Sequence, residues 1–366
     1  MSKKLNELKI STPGRVCLFG EHQDYLKLPV VACAISLRIS VEGHRRDDRI
    51  IKVQLPDISD EETFSLDEPI IYSKERDYLK SSVRVLMKHG FTFSNGFDCI
   101  VHGQIPINAG TSSSSALIVT WINFLARMSD QSQILPDEKL AWLAYEAEVL
   151  EFSEPGGMMD QYSTSIGGII AIDFYPETRV TRLNTELKTF VLGNSKQPKD
   201  TKYILSHVKD QILAVDKILR NIEPEFSLQT VSYDDLRFYS KYLSDSQYQI
   251  LEGTIKNRDL TVLARRELIR KNPDHKLIGQ LLNEHHNVLR DMLNISTPKI
   301  ERMIKAALKS GAYGAKINGS GGGGCMFAYA PEDSERVKDA IEEEGGQAFI
   351  ILPDSGSRQE IPEVVK

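Results

Sequence analysis

A two-domain α+β fold is what the sequence predicts, and three observations point to it. The chain has 366 residues, more than one hydrophobic core of ordinary size holds together. Its first half mixes β-branched runs with amphipathic helical stretches. Its last part runs helix, glycine loop, strand, helix, strand. A polar stretch from Asn194 to Thr201, containing Pro198, separates the two and gives segments 1–195 and 196–366.

The runs "GRVCLFG", "VVACAISLRISVEGHR" and "RIIKVQLP" are rich in Val, Ile and Leu and predict strands, and "FDCIVHGQIPI" alternates just before a turn. Next, "ERDYLKSSVRVLMKHG" places Tyr78, Leu79, Val83, Leu86 and Met87 at helical spacing and stops at Gly90. "TSSSSALIVTWINFLARM" predicts a helix with Leu117, Trp121, Phe124, Leu125 and Met128 on one face. Pro136 and Asp137 open another, "DEKLAWLAYEAEVLEF", whose buried stripe is Leu140, Leu143, Ala147 and Leu150. "GGIIAIDFYP" and "KTFVLGN" predict two further strands. The segment from Thr201 to Leu293 is helical and more charged, most clearly in "HKLIGQLLNEHHNVLRDML".

A composition of 41% hydrophobic and 26% charged residues is that of a globular chain and excludes disorder and fibres. The net charge of -6, with no long basic run, argues against nucleic acid or an anionic membrane as partner. No apolar run approaches the ~20 residues that span a bilayer. Cys17, Cys33, Cys99 and Cys325 are scattered in apolar settings with no C-x-x-C pair, and no signal peptide is visible; they are expected to be reduced core residues of a cytoplasmic protein.

Four stretches carry polar groups that a core would not want. "GRVCLFGEHQDYL" ends a β-rich run in Glu21, His22, Asp24 and Tyr25. In "PINAGTSSSSAL" a Pro/Gly break and a run of small hydroxyl residues lead into an apolar helix. The unpaired N–H groups of a helix start attract anions, and small residues let a phosphate come close, while a serine hydroxyl suits Mg²⁺. An ordinary N-cap would need only one of these residues. "AKINGSGGGGCMFAY" fits G-x-G-x-x-G in form, yet it leads into a strand rather than a helix and lacks a Walker Lys-Ser/Thr ending, so neither a Rossmann loop nor a P-loop is expected. So many glycines imply a backbone that approaches something closely, a phosphate or substrate by preference. In "EAEVLEFSEPGGMMDQYSTSIGG", Pro155-Gly156-Gly157 presents Asp160 in an apolar setting where a carboxylate needs a partner or a function. Glu151 and Glu154 are expected to be solvated.

Together, in this order, these stretches resemble the GHMP kinases, the superfamily of galacto-, homoserine, mevalonate and phosphomevalonate kinases. Pro106, Gly110 and Ser112 to Ser114, then Ser115 where alanine is usual, match its second motif, P-x-x-x-G-L-S/G-S-S-A. Gly314-Ala315-Lys316 and Gly319 to Gly324 match its C-terminal glycine motif. "PGRVCLFGEHQDY" is similar to the galactokinase signature G-R-V-N-L-I-G-E-H-T-D-Y, and "GGMMDQ" to that subfamily's G-I-M-D-Q.

The resemblance implies a ribosomal protein S5 domain 2-like N-terminal domain, holding the sugar, phosphate and Mg²⁺ sites, and a ferredoxin-like C-terminal domain. It implies an ATP- and Mg²⁺-dependent kinase that phosphorylates a monosaccharide at the anomeric hydroxyl. Asp160 then accepts or orients the hydroxyl proton, Arg15 neutralises charge, and Glu21, His22, Asp24 and Tyr25 hold the sugar. Gly110, Ser112, Ser113, Ser114, Ser115, Gly321 and Gly322 hold the ATP phosphates. Ser113 and Glu148 hold Mg²⁺, with the serine register open by one. Tyr78 resembles a tyrosine that flanks nucleotide or sugar. Cys17, Thr111, Gln23 and the Leu26-Lys27-Leu28 run depart from the pattern, the last beside the sugar cluster; Lys27 is either a cation for an acidic sugar or an exposed loop lysine. The other readings are a mevalonate-type kinase and a galactokinase-like sugar sensor without turnover. The expected partners are a small sugar and ATP, in a monomer or homodimer.

Overall fold

The computed structural model describes residues 5–198 and 201–361. The chain opens with a long hairpin, β1 (Glu7–Phe19) and β2 (Val30–Arg45), followed by β3 (Ile50–Leu55), β4 (Asp60–Ser65), α1 (Tyr78–Lys88), β5 (Phe97–Gly103), α2 (Ser113–Met128), α3 (Asp137–Tyr145), α4 (Met159–Ile166), β6 (Ile169–Asp173) and β7 (Arg179–Arg182). β2 is long enough to serve two neighbours on one edge, β6 along Val30–Cys33 and β5 along Ile39–Arg45, while β1 holds its other edge. β3 lies parallel to β5, and β4 closes that side. Helices α1 to α3 cover one face. Their apolar stripes bury Trp121 and Phe124, stacked at 5.5 Å, against Ile10, Val41 and Phe97.

The second half contains β8 (Phe190–Asn194), α5 (Thr201–Ile222), α6 (Leu236–Tyr239), α7 (Asp245–Leu268), α8 (His275–Asp291), α9 (Pro298–Lys309), β9 (Gly314–Ile317), β10 (Cys325–Tyr329), α10 (Ser334–Glu343), β11 (Gln347–Ile351) and β12 (Arg358–Gln359). Four of these strands form an antiparallel sheet in the order β11-β8-β10-β9. A shared core of Val16, Phe19 and Val31 with Leu281, Phe327 and Tyr329 joins the two sheets.

Sheet membership divides the chain differently from the expected 195/196 boundary. β8 pairs on both edges inside the second sheet, so the crossing comes before Phe190, and β12 returns to pair with β1 through Ile10 and Ser11. Several elements were not expected, β4, β7 and β12 among them. "MDQYSTSI" forms α4, although its Gly-rich flanks suggest a turn, and "GAKI" forms β9, although it is short and carries a lysine at its centre. Leu150, expected in a buried stripe, is 48% exposed. The residues Glu146–Leu150 wind as one π turn, which rotates the helix end out of its earlier phase.

Candidate active site

Among the described residues no strand lies beside the outer edge of β1 beyond Pro13, and pieces of the other motifs take its backbone groups. Arg15 N–H donates to the Thr111 carbonyl at 3.2 Å. Cys17 N–H donates to Asn318 Oδ1 at 2.9 Å, and Lys316 Nζ donates to the Cys17 carbonyl at 2.9 Å. One strand edge thereby gathers the serine motif and the glycine motif, and side chains from all of them line a cleft of about 1100 Å³, open mouth included.

On its wall lies Arg15, 4% exposed, gripping Asp160 in a fork: Nε to Oδ1 and Nη2 to Oδ2, both 2.8 Å. Its remaining nitrogen, Nη1, donates to the Gly110 carbonyl at 2.5 Å. Burial, the largest single influence, would lower the guanidinium's affinity for its proton, but the charge and hydrogen bonds of Asp160, with smaller contributions from Cys17 and Glu21, together outweigh it and hold Arg15 above its ordinary value. Asp160 sits in the first turn of α4 with its side chain 29% exposed, so the carboxylate is fixed yet open to the cleft.

Asp24 lies on the same wall. Its Oδ1 accepts from Tyr25 N–H at 2.9 Å and its Oδ2 from Met159 N–H at 3.3 Å. Burial, with repulsion from Asp160, pushes its carboxyl up to about 6. A Cβ on Gly157 would fall 2.1 Å from Asp24 Oδ2, so only glycine lets the Pro155–Gly157 turn pass this close. His22, at φ +61°, donates from Nε2 to the Ser320 carbonyl at 3.1 Å, which leaves Nδ1 of the neutral ring to accept from the Tyr25 hydroxyl at 2.9 Å. Burial and Asp24 raise the Tyr25 phenol well above its usual value and keep that proton in place. Lys209 of α5 sits 5.5 Å over the Tyr25 ring and donates to the Pro155 carbonyl.

A second polar group in the cleft is Glu148, turned inward by the π turn. Oε1 accepts from the Ser114 hydroxyl at 2.7 Å and Oε2 from Gln161 Nε2 at 2.6 Å. Burial pushes its carboxyl up, and these hydroxyl and amide donors partly offset the rise. Ser112 caps α2 at φ +59°, and its buried hydroxyl has no hydrogen-bond partner among the described residues. The free N–H groups of the first turn of α2 and an unpartnered hydroxyl beside them suit phosphate oxygens. Among the described residues no group of three His, Cys, Asp or Glu could hold a metal. One carboxylate and one hydroxyl are enough for Mg²⁺, which keeps waters and takes phosphate oxygens for its other positions.

Most of the expected residues meet here: Arg15, Glu21, His22, Asp24, Tyr25, Gly110, Ser112, Ser113, Ser114, Ser115, Glu148 and Asp160 all line the cleft, as does Tyr78. Three details differ, and Lys27 follows one of the two readings given for it. The serines that hydrogen-bond Glu148 are Ser114, at 2.7 Å, and Ser115, which lie beyond Ser113 in the first turn of α2. Glu21 is 1% exposed, and its carboxylate is already engaged, by Lys316 Nζ at 2.5 Å on Oε2 and Gly319 N–H at 3.0 Å on Oε1, so it braces the glycine motif. Gly321 and Gly322 do not line the cleft. A Cβ there would strike Ile295 and Ile204, and the close approach this loop makes is to protein, with Gly319 and Gly324 against the backbone of Gly110 and Ala109. Lys27 is exposed and lines a separate surface groove with Gln229 and Arg258, while Leu26 and Leu28 enter the core.

Glu154, expected to be solvated, lines the cleft and is held by both arms of Arg76 at 3.0 Å. Sequence reasoning missed Gln161, Lys316 and Asn318. Lys316 lies in β9 and Asn318 just past its end, and a lysine and an asparagine before five glycines read as loop. The four cysteines are buried, as expected, and none of them takes part in a disulfide among the described residues.

The chain matches the GHMP kinases N terminal domain over residues 77–168, the GHMP kinases C terminal family over 264–347 and the galactokinase galactose-binding signature over 3–45. Among curated proteins it is 28% identical over 364 residues to a mevalonate kinase of Thermococcus onnurineus, covering 96% of this chain and 97% of that one. It is equally 28% identical to a galactokinase of Mannheimia succiniciproducens, covering 93% and 90%. Among solved structures, galactokinase of Lactococcus lactis complexed with galactose superposes with a TM-score of 0.85 at 21% identity over 98% of this chain and 96% of that one. Mevalonate kinase of Methanococcus jannaschii gives 0.72 at 20% over 96% and 100%. With both halves of the family pattern in their proper order on a two-domain GHMP kinase fold, and the galactose-binding signature ahead of them, the chain belongs to the GHMP kinases, on their galactokinase-like side.

Proposed function

We propose that this protein transfers the terminal phosphoryl group of ATP to the anomeric hydroxyl of a monosaccharide, giving a sugar 1-phosphate and ADP. The observation that carries this is the Arg15–Asp160 fork opening onto a cleft whose wall also presents Asp24, with the Glu148–Ser114 pair in the same cleft. When bound, ATP with Mg²⁺ supplies the phosphoryl group and neutralises part of its charge, with Glu148 and Ser114 as the metal's protein ligands and the start of α2 as the phosphate seat. Asp160 accepts or orients the proton of the attacking hydroxyl as its oxygen bonds to phosphorus and the bond to the ADP oxygen breaks. Arg15 stabilises the negative charge gathering there. Little covalent chemistry is asked of the protein, since phosphoryl transfer depends mostly on positioning and charge. Asp24, His22 and Tyr25 hold the remaining hydroxyls, and a carboxylate that accepts from adjacent hydroxyls rejects ligands that lack them.

A second reading, a mevalonate-type kinase, draws on the Thermococcus relative. The galactose-binding signature over residues 3–45 favours the sugar. The deciding experiment is ADP release from ATP and Mg²⁺ against a panel of free sugars, sugar acids and mevalonate, with phosphorus NMR of the product. A single strong sugar giving an anomeric phosphate is expected. Turnover of mevalonate and of no aldose would overturn the sugar assignment, and sugar binding without ADP release would make the protein a sensor.

A further inference from the structure

The Gly110 carbonyl accepts two hydrogen bonds from different parts of the chain: Arg15 Nη1 at 2.5 Å and Asn318 Nδ2 at 2.7 Å. A carbonyl oxygen has two lone pairs, so its capacity is full. The other end of the same carboxamide, Asn318 Oδ1, accepts from Cys17 N–H at 2.9 Å. Only one orientation of the amide serves both partners, because the NH₂ must face the carbonyl and the oxygen must face the N–H. Asn318 is fully buried and makes these bonds inside the protein, where a misplaced polar group is costly.

Asn318 therefore spans two elements that hold Arg15. Cys17 lies two residues along β1 from Arg15, and Gly110 is the third partner of the guanidinium after the two oxygens of Asp160. The Arg15 backbone is tied to the same loop through Thr111. A planar guanidinium with its contacts fixed on three sides has one placement, and its fork sets Asp160 in turn.

We propose that Asn318 is a positioning residue for the transfer step: by fixing the Gly110 carbonyl and the Cys17 peptide group together, it sets the Arg15 guanidinium in its fork with Asp160. This rests on the kinase reading for its kinetic consequence alone, because the placement of Arg15 can be observed without turnover.

Asn318→Leu keeps the shape and removes both bonds, and Asn318→Ser keeps one polar atom in their place. With the acceptor that the substrate panel identifies, kcat of Asn318→Leu is expected to fall about 10²-fold, the cost of a small misplacement of reacting groups. KM for both substrates stays within about twofold. In a double-mutant cycle, Arg15→Lys costs much less in the Asn318→Leu background than alone, since the fork is already loosened. Independently of activity, the Arg15 Nε proton, assigned by its loss in Arg15→Lys, is expected to be protected from exchange in the unaltered protein and to exchange freely in Asn318→Leu. Asn318→Ser, the milder change, repeats both readouts at smaller size and serves if the leucine variant does not fold.

Additive losses in the cycle, or an Arg15 Nε proton that exchanges alike with and without Asn318, would overturn the proposal. A rise in KM at constant kcat would also overturn it, making Asn318 part of binding. Failure of the kinase reading shows separately, as an unaltered protein that turns over no sugar while the exchange readout still reports on Asn318.

Discussion

Two forked or close ion pairs stand within the same assembly, and they differ in what surrounds them. In Lys316–Glu21 the side chains are 0% and 1% exposed, and the ammonium spends its other donors on the Cys17 carbonyl and the face of Phe327. In Arg15–Asp160 the cation is equally deep, but the carboxylate is 29% exposed to the cleft. Similar chemistry thus serves as a strut in one place and as a working pair in the other, and access to the carboxylate makes the difference. A pair sealed from solvent cannot exchange a proton with a substrate, whereas removing one of its members strands a buried charge.

The contrast breaks if the two pairs respond alike to substitution. Asp160→Asn keeps the shape of the fork, so kcat is expected to fall by about 10²–10⁴-fold, the usual range for a group that handles a proton, with nucleotide binding kept. Steady-state kinetics beside a nucleotide titration measures this, and near-normal turnover would remove Asp160 from the chemistry. Lys316→Met should do the reverse to the energy balance, costing about 3–5 kcal/mol of folding stability, read as a lower urea midpoint. Replacing Glu21 by leucine in the same chain should recover most of that loss, and failure to recover would mean that the pair does more than brace.

Asp24 sharpens the comparison, because it is a carboxylate with no cation in its fork. Its folded value of about 6 lies above the ordinary carboxylate range, so the proton is held more tightly in the folded protein, and the stability this adds at low pH is lost as pH rises from about 4 to 6. For binding the sign is opposite, since the ionised form is the better acceptor of hydroxyls. The sugar's kcat/KM is expected to fall about tenfold per unit below pH 6, and Asp24→Asn should lower the plateau and abolish that limb. The smallest effect separates neighbouring serines: Ser114→Ala is expected to weaken Mg²⁺ dependence about tenfold, while Ser113→Ala leaves it close to unchanged. Equal effects would return the metal ligand to the register first expected.

The parts of this site that announce themselves in the sequence are residues out of keeping with their neighbours. Acids and a histidine ending an apolar strand, serines opening an apolar helix, and an aspartate after Pro-Gly-Gly each break a pattern, and each reaches the cleft. What stayed hidden conforms to its local pattern or depends on distant partners. Gln161 is an ordinary helix residue until Glu148 is turned toward it by a π turn that no spacing announces. Lys316 reads as surface because lysine usually is, and its burial is intelligible only beside Glu21, far away in the chain. The glycine run signalled a close approach, but sequence does not say to what, and the protein neighbours it meets are Ala109, Gly110 and Ile295. The strand assignments fared in the same way: long β-branched runs were legible, whereas β9 and β12 exist because β10 and β1 offer them an edge.

The return of β12 to β1 bears on how the molecule comes into being. Ser11 and Glu360, hydrogen-bonded at this junction, are 349 residues apart, and Asn123 of α2 donates to Ser357 on the same returning segment. During synthesis the first sheet therefore waits with that edge bare while the entire second half is made. A ribosome adding about 5–20 residues per second leaves it so for tens of seconds. The opening hairpin is a late-finishing part of the protein, and a fragment cut after the first half would carry its Arg15 strand without the residues that complete its edge.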